Sequence, residues 1–189
     1  MPPQERVSQD AIVEKAFELT RRDGFERVTA RALAEALGCS TQPIFRAFQS
    51  MEALKAAVCE RTRRFFEERM TAPPSDADTP LFLSMGLTYV NLAQAEPHLF
   101  RLLCLSHGYA LGSLRDLAAG LPRAGADGAQ TIDPNIFMKM WIFTHGIACI
   151  VTGNDACLDP GELRALLLEA CGDFAHVSLR GKDGEPHEP

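Results

Sequence analysis

A short predicted helix near the N-terminus presents polar side chains in a pattern that suits nucleic acid. Ser40 is predicted to cap this helix, and Pro43 falls in its first turn, where a missing N–H costs little. Ile44, Ala47 and Phe48 point towards a core. The residues left on the opposite side are Thr41, Gln42, Phe45 and Arg46. A short helix with small polar groups and an arginine exposed near its N-terminus suits the major groove of DNA.

A second predicted helix precedes the first and completes an αα-hairpin. Thr29 can cap it through its hydroxyl, residues 30–37 are good helix formers, and Gly38 can adopt the left-handed conformation that ends a helix. Hairpins of this kind are common in helical proteins, so the geometry alone is a weak indication of DNA binding. The flanking sequence adds more specific information.

Together with its flanks, the hairpin resembles the N-terminal domain of the tetracycline-repressor (TetR) family. The resemblance covers about residues 8–60 without a gap, whereas the rest of the chain resembles that family in size and helical character alone. The segments that carry it are residues 12–19, 22–29 and 49–54, together with Leu33-Ala34, Leu37-Gly38, Ser40, Ile44-Phe45 and Phe48.

The resemblance implies DNA-contacting roles for individual residues. Gln42 matches a position that faces base edges, where its amide can pair with adenine, and Arg46 can reach a guanine or a phosphate. The residues implied to contact the sugar–phosphate backbone are Thr29, Arg31, Ser40, Thr41 and Lys55. Phe45 stands where the family usually has tyrosine, and Met51 where it usually has lysine. Because both departures remove phosphate contacts, we expect DNA binding that is weaker and more sensitive to salt. The Phe45 ring can still contact a thymine methyl group or a sugar.

Charge is distributed unevenly along the chain. The net charge is −6, but residues 1–70 carry a net +1 and the remaining residues a net −7. This asymmetry permits DNA binding by the N-terminal part, and the modest positive charge predicts that a dimer is needed for useful affinity.

Composition favours a cytoplasmic protein. The six cysteines are scattered without C-x-x-C spacing, which predicts reduced thiols and no metal site. We expect no signal peptide and no apolar run long enough to cross a bilayer. No cofactor is expected.

Hydrophobic periodicity predicts an all-α fold of about nine helices. The predicted domains are a three-helix helix-turn-helix domain (1–50), a connecting helix (51–70), a C-terminal helical bundle for ligand binding and dimerisation (71–175) and a disordered tail (176–189). The fifth and seventh helices are predicted at residues 81–95 and 110–119.

The C-terminal part has features of a ligand sensor and a dimer surface. The candidate pocket residues are Phe82, Met85, Tyr89, Phe100, His107, Phe137, Met140, Trp141 and His145, although plain core packing explains any single one of them. The pattern Trp141-x-x-x-His145-Gly146 resembles a signature of one TetR branch, and Gly146 would let another helix approach closely. The helices predicted at 134–152 and 160–175 are adjacent and apolar, as a four-helix homodimer interface requires.

These patterns predict a ligand-responsive transcriptional regulator. The resemblance implies a repressor that a small apolar molecule releases from a near-palindromic operator on double-stranded DNA, through a tilt of the fourth helix. Two other classes remain open. One is a dimeric helical adaptor that has lost DNA binding. The other is an enzyme with a Cys–His site, but the spacing of Cys104, His107 and His145 does not favour catalysis.

Overall fold

The structure, a computed structural model, describes residues 7–72, 79, 81–105, 134–153 and 158–180. These residues form helices and turns without a strand, which confirms the all-α prediction. The α-helices are α1 (Gln9–Asp23), α2 (Ala30–Ala36), α3 (Gln42–Ala47), α4 (Met51–Met70), α5 (Leu81–Ala95), α6 (Pro97–Phe100), α7 (Pro134–Gly153) and α8 (Pro160–Arg180). A 3-10 turn (Phe25–Arg27) follows α1, and a π-helical turn (Arg101–Leu105) continues α6.

Side-chain caps begin four of these helices, including the helix whose cap the sequence predicts at Thr29. Ser8, Thr29 and Ser50 each accept a hydrogen bond from the backbone N–H three residues later, all at 3.1 Å. Asp159 accepts one from the N–H of Gly161 at 2.8 Å. Gly38, at φ 63°, takes the left-handed conformation that ends α2.

The predicted cap at Ser40 is wrong. The N-cap of α3 is Thr41, whose carbonyl accepts from the N–H groups of Ile44 and Phe45 at 3.1 and 3.2 Å. Thr41 has a helical backbone (φ −72°, ψ −16°), and its side chain makes no cap hydrogen bond. The helix therefore starts one residue later than the hydroxyl pattern suggested.

The described residues separate into two compact units. Unit 1 contains the residues up to Arg69 together with 95–105, and unit 2 contains the other described residues. The sequence predicts residues 95–105 as part of the C-terminal bundle and residues 51–70 as a connecting helix. All of α4 except Met70 belongs to unit 1.

Unit 1 is built around α1. This helix packs against α2, α3 and α6, and its buried Ile12, Ala16 and Phe17 enter the core. The Phe17 and Phe65 rings lie 5.4 Å apart and join α1 to α4. Leu33 of α2 and Ile44 of α3 are almost completely buried, so each hairpin helix is held by an apolar face and leaves its other face exposed.

Unit 2 packs α5 against α7 and α8. A Cβ placed on Gly86 of α5 would lie 3.4 Å from Leu167 of α8 and 3.8 Å from Thr144 of α7, so the glycine permits a close approach of the three helices. Thr152 of α7 also donates to the carbonyl of Ala93 at 3.3 Å. Met85, Tyr89, Phe137, Met140 and Trp141 are all buried.

The C-terminal part of the chain differs from expectation in two places. The predicted end of the last helix at 175 is wrong, because α8 continues to Arg180. Asn135–Gly153 of α7 is long and apolar enough (mean hydropathy 1.4) to cross a membrane, contrary to expectation. A single helix of this kind is weak evidence for a membrane span, because core helices of soluble proteins have the same length and composition. The predicted seventh helix (110–119) and the final residues 181–189 lie outside the described residues.

Candidate functional site

The outer face of α3 carries the residues that sequence analysis selected. Gln42, Phe45 and Arg46 are all exposed, at the i, i+3, i+4 spacing that places side chains on one helix face. Ile44 is 1% exposed, and Phe48, at the end of the helix, is 5% exposed. The buried side anchors the helix, and the polar side is available to a partner.

Three hydroxyl groups lie at the ends of the hairpin helices. Ser40 and Thr41 are exposed, and neither hydroxyl has a hydrogen-bond partner among the described residues. Thr29 is also exposed, but its oxygen accepts the N–H of Ala32. The Thr29 hydrogen remains able to donate to an external acceptor such as a phosphate oxygen.

The arginines around the hairpin fall into two groups. Five of them, on α1 and α4, form ion pairs inside the protein: Arg21 with Glu96, Arg22 with Asp23, Arg61 with Glu14, Arg63 with Glu60 and Glu67, and Arg64 with Glu60. Within the part of the chain that the structure describes, Arg27, Arg31 and Arg46 have no carboxylate at ion-pair distance. All three are exposed and lie in the hairpin or directly before it, while Arg69 and Lys139 are exposed cations without an ion pair elsewhere in the described residues.

Arg27 is not among the DNA-contacting residues that the sequence predicts. It ends the 3-10 turn that leads into α2. Sequence alone does not distinguish it from Arg21 or Arg22, because the difference depends on which arginines the fold places beside a carboxylate. Its exposure next to the hairpin makes it an additional candidate for phosphate contact.

Lys55, the remaining predicted phosphate contact, is half-buried on α4. Its Nζ lies 5.4 Å from the centre of the Phe25 ring, at cation–π distance. The interaction holds the side chain against the 3-10 turn, so Lys55 is less free than Arg31 or Arg46 to follow a phosphate.

The predicted pocket residues of unit 2 form a polar–aromatic network between α5 and α7. The Tyr89 hydroxyl lies 2.9 Å from Nδ1 of His145, and Nε2 of His145 lies 3.5 Å from Sγ of Cys149. The Tyr89 and Trp141 ring centres are 4.8 Å apart, and Phe137 stacks on Trp141 at 6.4 Å. Burial lowers the pKa of His145 and raises the pKa of the Cys149 thiol. Both groups are therefore favoured in their neutral forms.

Other members of the predicted pocket set lie elsewhere. Phe100 is fully buried in unit 1. The side chain of Phe82 and the whole of His107 lie outside the described residues, as does the side chain of Cys104 from the alternative Cys–His site. The described residues contain no group of three or more His, Cys, Asp or Glu side chains placed to hold a metal ion.

Comparison with known proteins identifies the N-terminal part. A sequence model described as bacterial regulatory proteins, tetR family, matches residues 12–58, from the first buried isoleucine of α1 into α4. A search of curated proteins finds no match. The matched segment contains the hairpin, its exposed α3 face and its uncompensated arginines. Residues 12–58 therefore match the tetR family of bacterial regulatory proteins, and this match supports a DNA-binding transcriptional regulator.

Proposed function

We propose that the protein is a cytoplasmic homodimeric repressor that binds a near-palindromic operator and leaves it when a small apolar molecule binds. The proposed base-reading residues are Gln42 and Arg46, and the Phe45 ring contacts a thymine methyl group or a sugar. The proposed backbone contacts are Thr29, Arg31, Ser40, Thr41 and, less directly, Lys55. The role is regulatory, with no catalytic residue assigned.

The observation that carries this proposal is the pairing pattern of the arginines. An exposed guanidinium without an internal carboxylate keeps its attraction for phosphate, whereas one already paired inside the protein gains less by moving to DNA. Arg31 and Arg46 are uncompensated and flank the exposed hydroxyls of Ser40 and Thr41 in the sequence. The surface therefore has the donors that a DNA backbone requires, despite the acidic total charge.

The proposed dimer surface is the outer face of α7 with the adjacent face of α8. Ile142 and Ile150 are 60% and 57% exposed, and Leu168 of α8 is 48% exposed. Gly146 lies between the two isoleucines, and a Cβ added there would meet nothing within 4 Å in the described residues. An exposed apolar face of this kind is suited to a second copy of the same helices, in a two-fold arrangement that matches a palindromic site.

The proposed effector site is in unit 2, near the Tyr89–Trp141–His145 network. Aromatic rings with a few polar atoms would suit a small apolar molecule that makes one or two hydrogen bonds. Effector binding would favour one distance between the two α3 helices of the dimer over another. The difference in effector affinity between these two states would drive release of the protein from DNA.

Titration with random double-stranded DNA tests the proposed function. We expect the double variant Arg31→Gln/Arg46→Gln to bind at least tenfold more weakly at low salt. On random DNA, where Arg46 has no fixed guanine to read, both guanidinium groups neutralise phosphate charge. Their loss should therefore also lower the slope of log K against log salt by about two per protomer. The measurement is fluorescence anisotropy at low and moderate salt.

The matched control is Arg22→Gln/Arg64→Gln, which removes the same charge from two exposed arginines that already have carboxylate partners. Its salt slope should stay close to that of the wild type. Equal losses for the two double variants would show that net charge, rather than this surface, determines affinity. A wild-type protein without affinity for duplex DNA would favour the dimeric adaptor instead.

A further inference from the structure

Phe45 is an unusual residue on the outside of unit 1. Its side chain is 57% exposed, and the other large hydrophobic residues with comparable exposure are all on α7 and α8: Ile142, Ile150, Leu166 and Leu168. Among the described residues of unit 1, Phe45 is therefore the only large apolar side chain that is exposed. It has no aromatic or cation–π contact with any other described residue.

The position of Phe45 shows that packing in the protomer does not require an aromatic ring there. The neighbouring Ile44 fills the core position and is 1% exposed, so Phe45 necessarily points to the other side of α3. The residues beside it on that side, Gln42 and Arg46, are polar and exposed. A phenyl ring exposed to water between two polar side chains is stabilised by the hydrophobic effect when a partner covers it.

The chemistry of the ring limits what it can recognise in DNA. A phenyl group has no hydrogen-bond donor or acceptor, so it cannot read the polar edges of bases or hydrogen-bond a phosphate oxygen. In the major groove, thymine presents an apolar C5-methyl group, whereas cytosine presents an amino group and no methyl. The apolar group that an unmodified base offers to this ring is the thymine methyl.

Helix geometry sets how far that thymine lies from the base read by Gln42. Side chains at i and i+3 on a helix have Cβ atoms about 5–6 Å apart. Base pairs in DNA follow one another at about 3.4 Å. Gln42 and Phe45 therefore reach base pairs that are one or two steps apart.

From this geometry we propose that Phe45 is a specificity-determining residue that reads the C5-methyl group of a pyrimidine, one or two base pairs from the adenine contacted by Gln42. The inference rests on the proposed DNA-binding function and deepens it. It extends to chemically modified DNA, because 5-methylcytosine presents the same methyl group at the same place.

Atom-level substitution in the DNA tests this proposal. A duplex selected by the wild-type protein is resynthesised with uracil in place of each thymine, one symmetric pair at a time, which removes nothing but the methyl group. We expect uracil to weaken wild-type binding about fourfold per half-site at one thymine position. This position lies within two base pairs of the adenine contacted by Gln42. The factor is the one expected when one methyl group is removed from an apolar contact. The other thymines serve as internal controls.

Two further comparisons assign the effect to Phe45. The variant Phe45→Ala, which changes an exposed side chain, should bind the thymine and uracil duplexes within twofold of each other while keeping the wild-type salt slope. In wild-type protein, cytosine at the same position should bind more weakly than 5-methylcytosine.

Each outcome has a definite meaning. Specific binding that tolerates uracil at every thymine in that window would overturn the inference and leave the proposed function intact. An equal uracil effect in Phe45→Ala would also overturn it, because the methyl would then be read by another group. A failure to select any duplex would overturn the proposed function, and this inference with it.

Discussion

The side chains of Gln42 and Arg46 are exposed, so their polar groups are available to bind a partner. His145 is in the opposite situation, because Tyr89 and Cys149 contact both of its ring nitrogens inside unit 2. An exposed group keeps its hydrogen-bonding capacity for a partner, whereas the ring nitrogens of half-buried His145 already have partners inside the protein. At the scale of residues, this contrast separates the recognition surface from the network proposed to sense an effector.

A pH-dependent stability follows from the burial of His145. Its pKa is lowered in the folded protein, so the unfolded chain, with an ordinary value of about 6.5, binds a proton more readily. Unit 2 should therefore be destabilised as the pH falls through that ordinary value, by at most about 1.4 kcal/mol per pH unit from this group. The loss levels off below the folded pKa, and this group contributes no pH dependence well above 6.5.

The measurement is urea unfolding at several pH values, followed by the fluorescence of Trp141, the single tryptophan of the chain, which packs on Tyr89. The variant His145→Gln should show a weaker loss of stability between neutral and mildly acidic pH than the wild type. Parallel profiles for the two proteins would show that His145 is not a source of the acid sensitivity.

At the scale of helices, α6 is attached to unit 1 by an ion pair as well as by apolar contacts. Glu96, the N-cap of α6, is 7% exposed and binds Arg21 of α1 through both carboxylate oxygens, with an Nε–Oε2 distance of 2.7 Å. The single turn of α6 buries Leu99 and Phe100 completely. The guanidinium compensates a carboxylate that would otherwise be buried without a partner.

The variant Arg21→Ala should destabilise unit 1 by about 2–3 kcal/mol, because it leaves the Glu96 carboxylate buried and unpaired. The matched control is Arg22→Ala. It removes an arginine that pairs with exposed Asp23 on the surface, and it should cost less than about 1 kcal/mol. Chemical denaturation followed by circular dichroism compares the two. Equal losses would mean that the ion pair contributes no more than a surface contact.

Much of the helical structure follows from local sequence, and the rest depends on distant contacts. The caps at Ser8, Thr29, Ser50 and Asp159 are predictable because each hydroxyl or carboxylate acts within three residues of itself. The Arg21–Glu96 pair is not, since its partners are 75 residues apart. For the same reason, the sequence predicts residues 95–105 in the C-terminal bundle, whereas the structure has them in unit 1. The sequence also does not distinguish arginines that have a carboxylate partner from those that have none.

For the molecule as a whole, sequence predicted an apolar surface on the last two helices but not which side of them would be exposed. The structure exposes Ile142, Gly146 and Ile150 in one line along α7, at i, i+4, i+8. The proposed homodimer would cover this line. In the protomer alone, Gly146 has room for a side chain, so its small size has no packing role within the described residues.

The variant Gly146→Glu should therefore weaken dimerisation at least about a hundredfold, because a charge without a partner would be buried in the interface. The folding stability of the protomer should not fall, since glutamate has a higher helix propensity than glycine. The control Ala56→Glu adds the same charge at an exposed position of α4. Sedimentation over a range of concentrations gives the oligomeric state. A wild-type monomer, or a Gly146→Glu protein that dimerises normally, would contradict the proposed interface.

Selection of bound duplexes from a random pool, with the wild type and Gln42→Ala in parallel, is the most direct measurement of DNA recognition. We expect the wild type to enrich a near-palindrome with an adenine at one fixed position of each half-site. The variant should recover the same palindrome with that position relaxed, because the amide that pairs with adenine is gone. An unenriched pool, or an identical motif from both proteins, would contradict base reading by the exposed face of α3.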